Sequence, residues 1–263
     1  MTEEQLAVQI QKVVKEAGEL LKEAYTDRET ISHKEGPANF VTEYDVKIQD
    51  FLQERLASLL PEAEFLGEEG EKEKNGWEGD TFIIDPIDGT TNFIFRYHHS
   101  CVSVALARKK ELRMGFVYNP YLDEMFWAVR GQGAWLNGRK LEMKDLSLEQ
   151  GVAAFGCARY NTGDTDRIFA MARKLYDNSL ALREGGSAAI DLSWIGDGRN
   201  CVYVELLLHP WDFAAAAVII EEAGGIITQC DGRPVTLDSS CSILAGTPKA
   251  WEECRKFWDA CGG

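Results

Sequence analysis

The chain of 263 residues is 45% hydrophobic and 27% charged, enough apolar content to bury a sizeable core as one large unit or two closely packed halves. Its 28 basic and 43 acidic residues leave a net charge of −15, which argues against binding a nucleic-acid backbone or an anionic membrane surface, so an anionic substrate must be met by local groups. Seven cysteines without a C-x-x-C pair are unlike a disulfide framework or a zinc site and favour a reducing cytoplasm; no run approaches the ~18 apolar residues of a membrane span, and the first twenty residues lack a secretory pattern.

Leu6, Ile10, Val13, Val14, Ala17, Leu20, Leu21 and Ala24 recur at helical spacing and predict an amphipathic helix over 3–25. Residues 27–40 are polar, broken by Gly36-Pro37, and read as a loop. Thr42 with Asp45 three residues later makes a capping box for a second helix that carries Val46, Ile48, Phe51, Leu52, Leu56 and Leu59 and ends before Pro61. Taken alone, Asp45 is as readily a cap residue as a functional one. A short strand over 64–67 runs abruptly into Glu68 and Glu69, and a charged loop over 70–80 leads to a β-branched and aromatic strand over 81–84.

That strand meets Asp85-Pro86-Ile87-Asp88-Gly89-Thr90-Thr91-Asn92-Phe93. Pro86 lacks an N–H and should stop the strand, so Asp85 and Asp88 converge across a tight turn. Two carboxylates that close repel unless one is protonated or a cation lies between them, and a divalent metal is the simpler answer. Gly89 lets the backbone approach a ligand closely, and the N–H groups of Gly89, Thr90 and Thr91 can form an anion-binding concavity. A metal beside an anion nest points to phosphate.

Further on, 101–107 and 114–118 read as strands of a hairpin around Lys109-Lys110-Glu111, 124–129 as a third, and Asn137-Gly138 as a turn between two short ones. Gly131-Gln132-Gly133 lacks the third glycine of a dinucleotide fingerprint. From 151 the pattern alternates: strand 152–155, helix 164–176, strand 180–182, helix 187–195, strand 201–205 ending at Glu205, then helix 210–223 stopped by Gly224-Gly225. Strands over 226–228 and 242–245 and a helix over 248–260 close the chain. Asp212 alone would be a capping residue after Pro210, Cys157 has no histidine partner at a telling position, and His33, His98, His99 and His209 lack metal-ligand spacing. Trp127, Trp135, Trp194 and Trp211 are core or interface residues by default.

The stretch from Asp85 to Phe93 resembles the first signature of the inositol monophosphatase family of metal-dependent, lithium-sensitive sugar-phosphate phosphatases. Trp211-Asp212-Phe213-Ala214-Ala215-Ala216 followed by Glu222-Ala223-Gly224-Gly225 resembles the second, and Gly67-Glu68-Glu69 and Val41-Thr42-Glu43-Tyr44-Asp45 resemble two smaller motifs, all in family order. Departures fall at Phe95, where the family usually has a polar residue, and at Cys157, where a serine often sits.

The resemblance implies an αβαβα sandwich over 1–263 as one unit, with an antiparallel-rich half over 1–150 holding the metal and phosphate site and an alternating α/β half over 151–263 contacting substrate. It implies two Mg²⁺, with a third in some relatives: Glu68, Asp85 and the main-chain oxygen of Ile87 for the first, and Asp85, Asp88 and Asp212 for the second. Asp45, Thr90 and Glu68 would orient or deprotonate the attacking water, and the N–H groups of Gly89 and Thr90 would hold phosphate. Asp88, main-chain groups near Gly186 and Ala188, and Glu205 would contact the polyol. The implied reaction is hydrolysis of a small polyol phosphate monoester, inositol 1-phosphate foremost, with no phosphoenzyme, in a cytoplasmic homodimer whose interface lies near 101–129. Fructose-1,6-bisphosphatase or nucleotide 3′-phosphatase activity, or a regulatory binding role on the same fold, are the alternatives.

Overall fold

The computed structural model describes residues 1–24, 32–33, 40–69, 77–157 and 164–261. The loop expected over 27–40 and the charged stretch before the central strand therefore lie largely outside the described residues. In chain order the elements are α1 (Glu3–Glu23), β1 (Ser32–His33), β2 (Phe40–Val41), α2 (Glu43–Leu59), β3 (Glu64–Gly67), β4 (Asp80–Asp88) and α3 (Thr90–Phe95). Next come β5 (Cys101–Arg108), β6 (Glu111–Asn119), β7 (Glu124–Val129), β8 (Gly133–Leu136), β9 (Arg139–Lys140), β10 (Val152–Phe155) and α4 (Thr165–Asn178). The chain finishes with β11 (Ala181–Arg183), α5 (Ala188–Asp197), β12 (Val202–Leu208), α6 (Pro210–Ala223), β13 (Ile226–Thr228), β14 (Cys241–Gly246) and α7 (Pro248–Ala260).

These form an αβαβα sandwich. Strands β3 to β9 make a seven-stranded sheet in sequence order, antiparallel except for β3 beside β4, and the second sheet runs β11-β10-β12-β14-β13. Helices α1 and α2 cover the outer face of the first sheet through Ile10, Val14, Ile48, Leu52 and Leu56. Helices α5 and α6 fill the space between the sheets, and α4 and α7 cover the far face of the second. The two-residue period of the strands feeds each face. Phe82 and Ile84 of β4 enter the outer core and Ile83 the middle one, just as Val202 and Val204 face α4 and α7 while Tyr203 faces inward.

Helix α6 carries no polar face because it is surrounded: Phe213 to Ile220 are all buried. Phe213, Val218, Ile219 and Ile220 are each worth roughly 1.5–3 kcal/mol of burial. The helix sits so close to β6 that a Cβ on Gly115 would collide with the Ala215 carbonyl oxygen. The hairpin turns follow the sequence signals, with Lys109 and Lys110 at φ 49° and 68° and Asn137-Gly138 at φ 49° and 80°.

Two expectations are corrected. Strand β4 does not stop at Pro86 but runs on to Asp88. Its ladder with β5 shifts there, Asp85 opposite Ser103 and Asp88 opposite Cys101, so β4 holds one extra residue. Proline is tolerated where the ladder is already broken, and the bulge reverses the alternation so that residues three apart share a side. Glu205 does not end its strand either: β12 continues to Leu208 through its pairing with β14, with an irregularity between Glu205 and Leu208. In the stretch 101–129, where the resemblance implies an interface, the aromatic residues Phe116, Tyr118 and Phe126 are fully buried within this chain.

Candidate active site

Four elements deliver carboxylates to one place. The end of β4 supplies Asp85 and Asp88, and the first turn of α6 supplies Asp212; one carboxylate oxygen from each lies within 4.8 Å of the others. Glu68 follows β3, whose ladder is extended by the Glu68 N–H to Ile84 O bond of 3.1 Å, and its carboxyl group hydrogen-bonds with Asp85. The neighbouring Glu69 N–H is fixed by the Gln49 side chain at 3.0 Å. Asp45 arrives from the first turn of α2 and Thr90 from the start of α3.

Local structure and site geometry use the same side chains. Asp212 Oδ2 accepts the His209 N–H at 2.7 Å, Asp45 Oδ2 accepts the Thr42 N–H at 2.7 Å and its hydroxyl at 2.6 Å, and Asp85 Oδ1 accepts the Ile87 N–H at 3.0 Å. The helix-cap reading and the functional reading of Asp45 and Asp212 are thus compatible, because each carboxylate keeps a second oxygen. Thr90 Oγ1 lies 3.4 Å from Asp45 Oδ1 and 3.1 Å from Ile87 O, the two acceptors open to its hydroxyl proton. Gly89 stands at φ +87°, where a Cβ would press on the carbonyl oxygens of Gly186 and His99.

Burial sets the electrostatics. Desolvation raises the Asp45 pKa to about 7 against the lowering hydrogen bonds from Thr42, and raises Asp88 to about 6 against those from Ser187 and Ala189. Asp85 and Asp212 are pushed well above the usual carboxylate range, first by burial and then by neighbouring carboxylates. Such a group of hard oxygen donors, costly to ionise together, suits a divalent cation such as Mg²⁺, whose charge would offset both the desolvation and the mutual repulsion. Among the described residues this is the group of acidic, histidine or cysteine side chains close enough together to hold a metal.

The side facing α5 holds the remaining predicted residues. Asp88 Oδ2 accepts the Ala189 N–H at 2.9 Å and a short bond from the Ser187 hydroxyl, so the loop bearing Gly186 and the start of α5 at Ala188 are tied to the carboxylate cluster. Glu205 is buried and accepts the Tyr203 hydroxyl at 2.5 Å. Gly156 leaves room for that pair, because a Cβ there would collide with both. Cys157 lies beside them, its thiol pKa raised by burial and then by Glu184 and Glu205, the reverse of what a thiolate nucleophile needs.

Sequence reasoning missed Ser187, Tyr203, Asn92 and the pairing of His99 Nε2 with Asp191 Oδ1 at 3.2 Å. Tyr203 could have been found from its position two residues before Glu205, on the same face of the strand. The other contacts span 92 to 99 residues and leave no local signal.

A layered α/β sandwich with carboxylates gathered beside a glycine turn and a threonine defines the site of a phosphate-ester hydrolase. The profile of the Inositol monophosphatase family matches residues 2–261, and the chain belongs to that family of phosphatases. It is 34% identical over 250 residues to the inositol monophosphatase of Dictyostelium discoideum, covering 93% of this chain and 92% of that one. It is 33% identical over 239 residues to the inositol-1-monophosphatase of Bacillus subtilis, covering 90% of each. Among solved structures, the Thermotoga maritima IMPase superposes with a TM-score of 0.88 at 28% identity over 98% of both chains. An IMPase/NADP phosphatase complexed with NADP and Ca²⁺ gives 0.88 at 25% identity over 100% of this chain and 98% of that one.

Proposed function

We propose that the protein hydrolyses small polyol phosphate monoesters, inositol 1-phosphate foremost, by direct attack of water. The observation that carries this reading is the convergence of Asp85, Asp88 and Asp212 beside the Thr90–Asp45 contact. The donor set fits two Mg²⁺, with Glu68, Asp85 and Ile87 O as ligands of one, and Asp85, Asp88 and Asp212 as ligands of the other; a third ion at Glu68 fits the same chemistry. Bound there, Mg²⁺ supplies Lewis-acid charge neutralisation and acidifies water.

The chain's own groups do the rest. Asp45, held by Thr42, accepts the Thr90 hydroxyl proton, leaving the Thr90 oxygen lone pairs to accept from and orient the attacking water. Glu68 takes up the proton the water loses. The N–H groups of Gly89 and Thr90, at the start of α3 where no intrahelical acceptor exists, bind phosphate oxygens. Asp88, the backbone around Gly186 and Ala188, and Glu205 receive the hydroxyls of the leaving polyol. Tyr203 holds Glu205 in place and keeps its charge hydrogen-bonded.

The seven free cysteines support a cytoplasmic location, and no described helix is long and apolar enough to cross a membrane. We further propose that the chain works as one unit and as a homodimer, for which Tyr97 and Leu122, 75% and 54% exposed, supply apolar surface near 101–129. Light scattering should give twice the 29.4 kDa chain mass, and a monomer mass would refute it.

A phosphate-release panel in Mg²⁺ tests the substrate. Inositol 1-phosphate should be turned over with the highest kcat/KM, ahead of fructose 1,6-bisphosphate and NADP. Preference for either of the latter would move the protein to another branch of its superfamily.

A further inference from the structure

Asn92 lies in the signature stretch, but the roles above give it nothing to do. It is 9% exposed, and its Nδ2 donates one hydrogen to His99 O and the other to Gly185 O, both at 2.8 Å. The first bond reaches past α3 to the segment before β5; the second crosses 93 residues to the loop between β11 and α5. Gly186 sits at φ +74°, where a Cβ would press on the Asn92 amide, and its neighbours carry the groups that hold Asp88, the Ser187 hydroxyl and the Ala189 N–H. His99, whose carbonyl takes the other hydrogen, also reaches across to Asp191 in the first turn of α5. Around one amide, therefore, the turn that would bind phosphate and the loop that would receive the polyol are tied together.

The phosphate turn does not need this tie. The Phe93 N–H bonds to Gly89 O at 3.0 Å, Phe93 and Ile94 are buried in the outer core, and Thr90 is held from Ile87 and Asp45. Removing the Asn92 amide frees the Gly185 and His99 carbonyls, while Asp88 keeps its bonds from Ser187 and Ala189 and Phe93 N–H its bond to Gly89 O, so the part that loosens is the Gly185–Gly186 segment on the leaving-group side.

We infer that Asn92 is a positioning residue that clamps the 185–187 loop against the phosphate turn, setting the geometry with which the polyol, but not the phosphoryl group, is held. This rests on the polyol-phosphatase reading of the site. Both amide hydrogens are used, so no other side chain of this size can substitute: aspartate keeps the shape and places an acceptor against two carbonyl oxygens.

The test is Asn92→Ala together with the isosteric Asn92→Asp, assayed on inositol 1-phosphate and on 4-nitrophenyl phosphate, with amide hydrogen exchange measured on the metal-free proteins. The expected result is a loss of about 10- to 100-fold in kcat/KM for inositol 1-phosphate, less than about 3-fold for the aryl ester, and faster exchange confined to 186–189. Asn92→Asp supplies the same readouts where Asn92→Ala fails to fold. Equal losses on both substrates, or unchanged exchange at 186–189, would overturn the clamp. A wild-type protein inactive on both esters would sink the functional reading instead, and the exchange comparison would still decide the clamp on its own.

Discussion

Thr90 and Asp45 meet at 3.4 Å from two different helices, and their proposed duty is one water molecule. Thr90→Ala should lower kcat by ~10²- to 10³-fold with little effect on Mg²⁺ affinity, because the hydroxyl is placed on the water. Asp45→Asn should act in the same direction. The double variant should lose no more than about the worse single one, since groups serving one step are not additive. A cycle of kcat values on inositol 1-phosphate checks this; additive losses would separate the two residues. At this scale the sequence was readable wherever a motif concentrated the chemistry, as from Asp85 to Thr90. It was silent on the Ser187–Asp88 and Asn92–Gly185 bonds, which span 99 and 93 residues and depend on how two sheets face each other.

Among the elements, α6 connects the site to the core. Its N-terminus carries Asp212, and its second turn lies against β6 with room only for a hydrogen at Gly115. Gly115→Ala must push helix and sheet apart, at a cost of ~1–3 kcal/mol typical of overpacking a close-packed interior. The expected outcome is a lower thermal midpoint together with weaker Mg²⁺ binding, read by melting and by calorimetric titration. A drop in midpoint with unchanged Mg²⁺ affinity would mean that the N-terminus of α6 does not move with its second turn. Element boundaries were legible where local chemistry decides them: a capping box at Thr42, Pro210 and Pro248 at the first helical positions, and a glycine stop at Gly224. They were not legible where a partner strand decides. Pro86 passes through β4 because β5 accommodates a bulge, and β12 outruns Glu205 because β14 still pairs with it.

Over the whole molecule, the net charge of −15 and the buried carboxylate cluster make the metal-free protein sensitive to pH. Burial raises Asp45 to about 7 and Asp88 to about 6, with Asp85 and Asp212 higher than usual. A raised folded-state value means that protonation favours the fold: the contribution is complete below the unfolded pKa of about 4 and is lost as pH rises through about 6 and then about 7. Metal ions bind the ionised form, so they replace those protons and restore what was lost. Mg²⁺ should therefore raise the melting temperature more at about pH 8 than at about pH 5.5, and a larger gain at the lower pH would contradict the assignment of these carboxylates as ligands.

On this reading hydrolysis depends on a metal held by the end of β4, and Asp85 matters most because it would serve both proposed ion positions. Phosphate release from inositol 1-phosphate by the wild type and by Asp85→Asn, each with Mg²⁺ and with excess chelator, tests it. The wild type should be active only with Mg²⁺ and Asp85→Asn inactive throughout. Full activity of the wild type in chelator, or of Asp85→Asn in Mg²⁺, would contradict it.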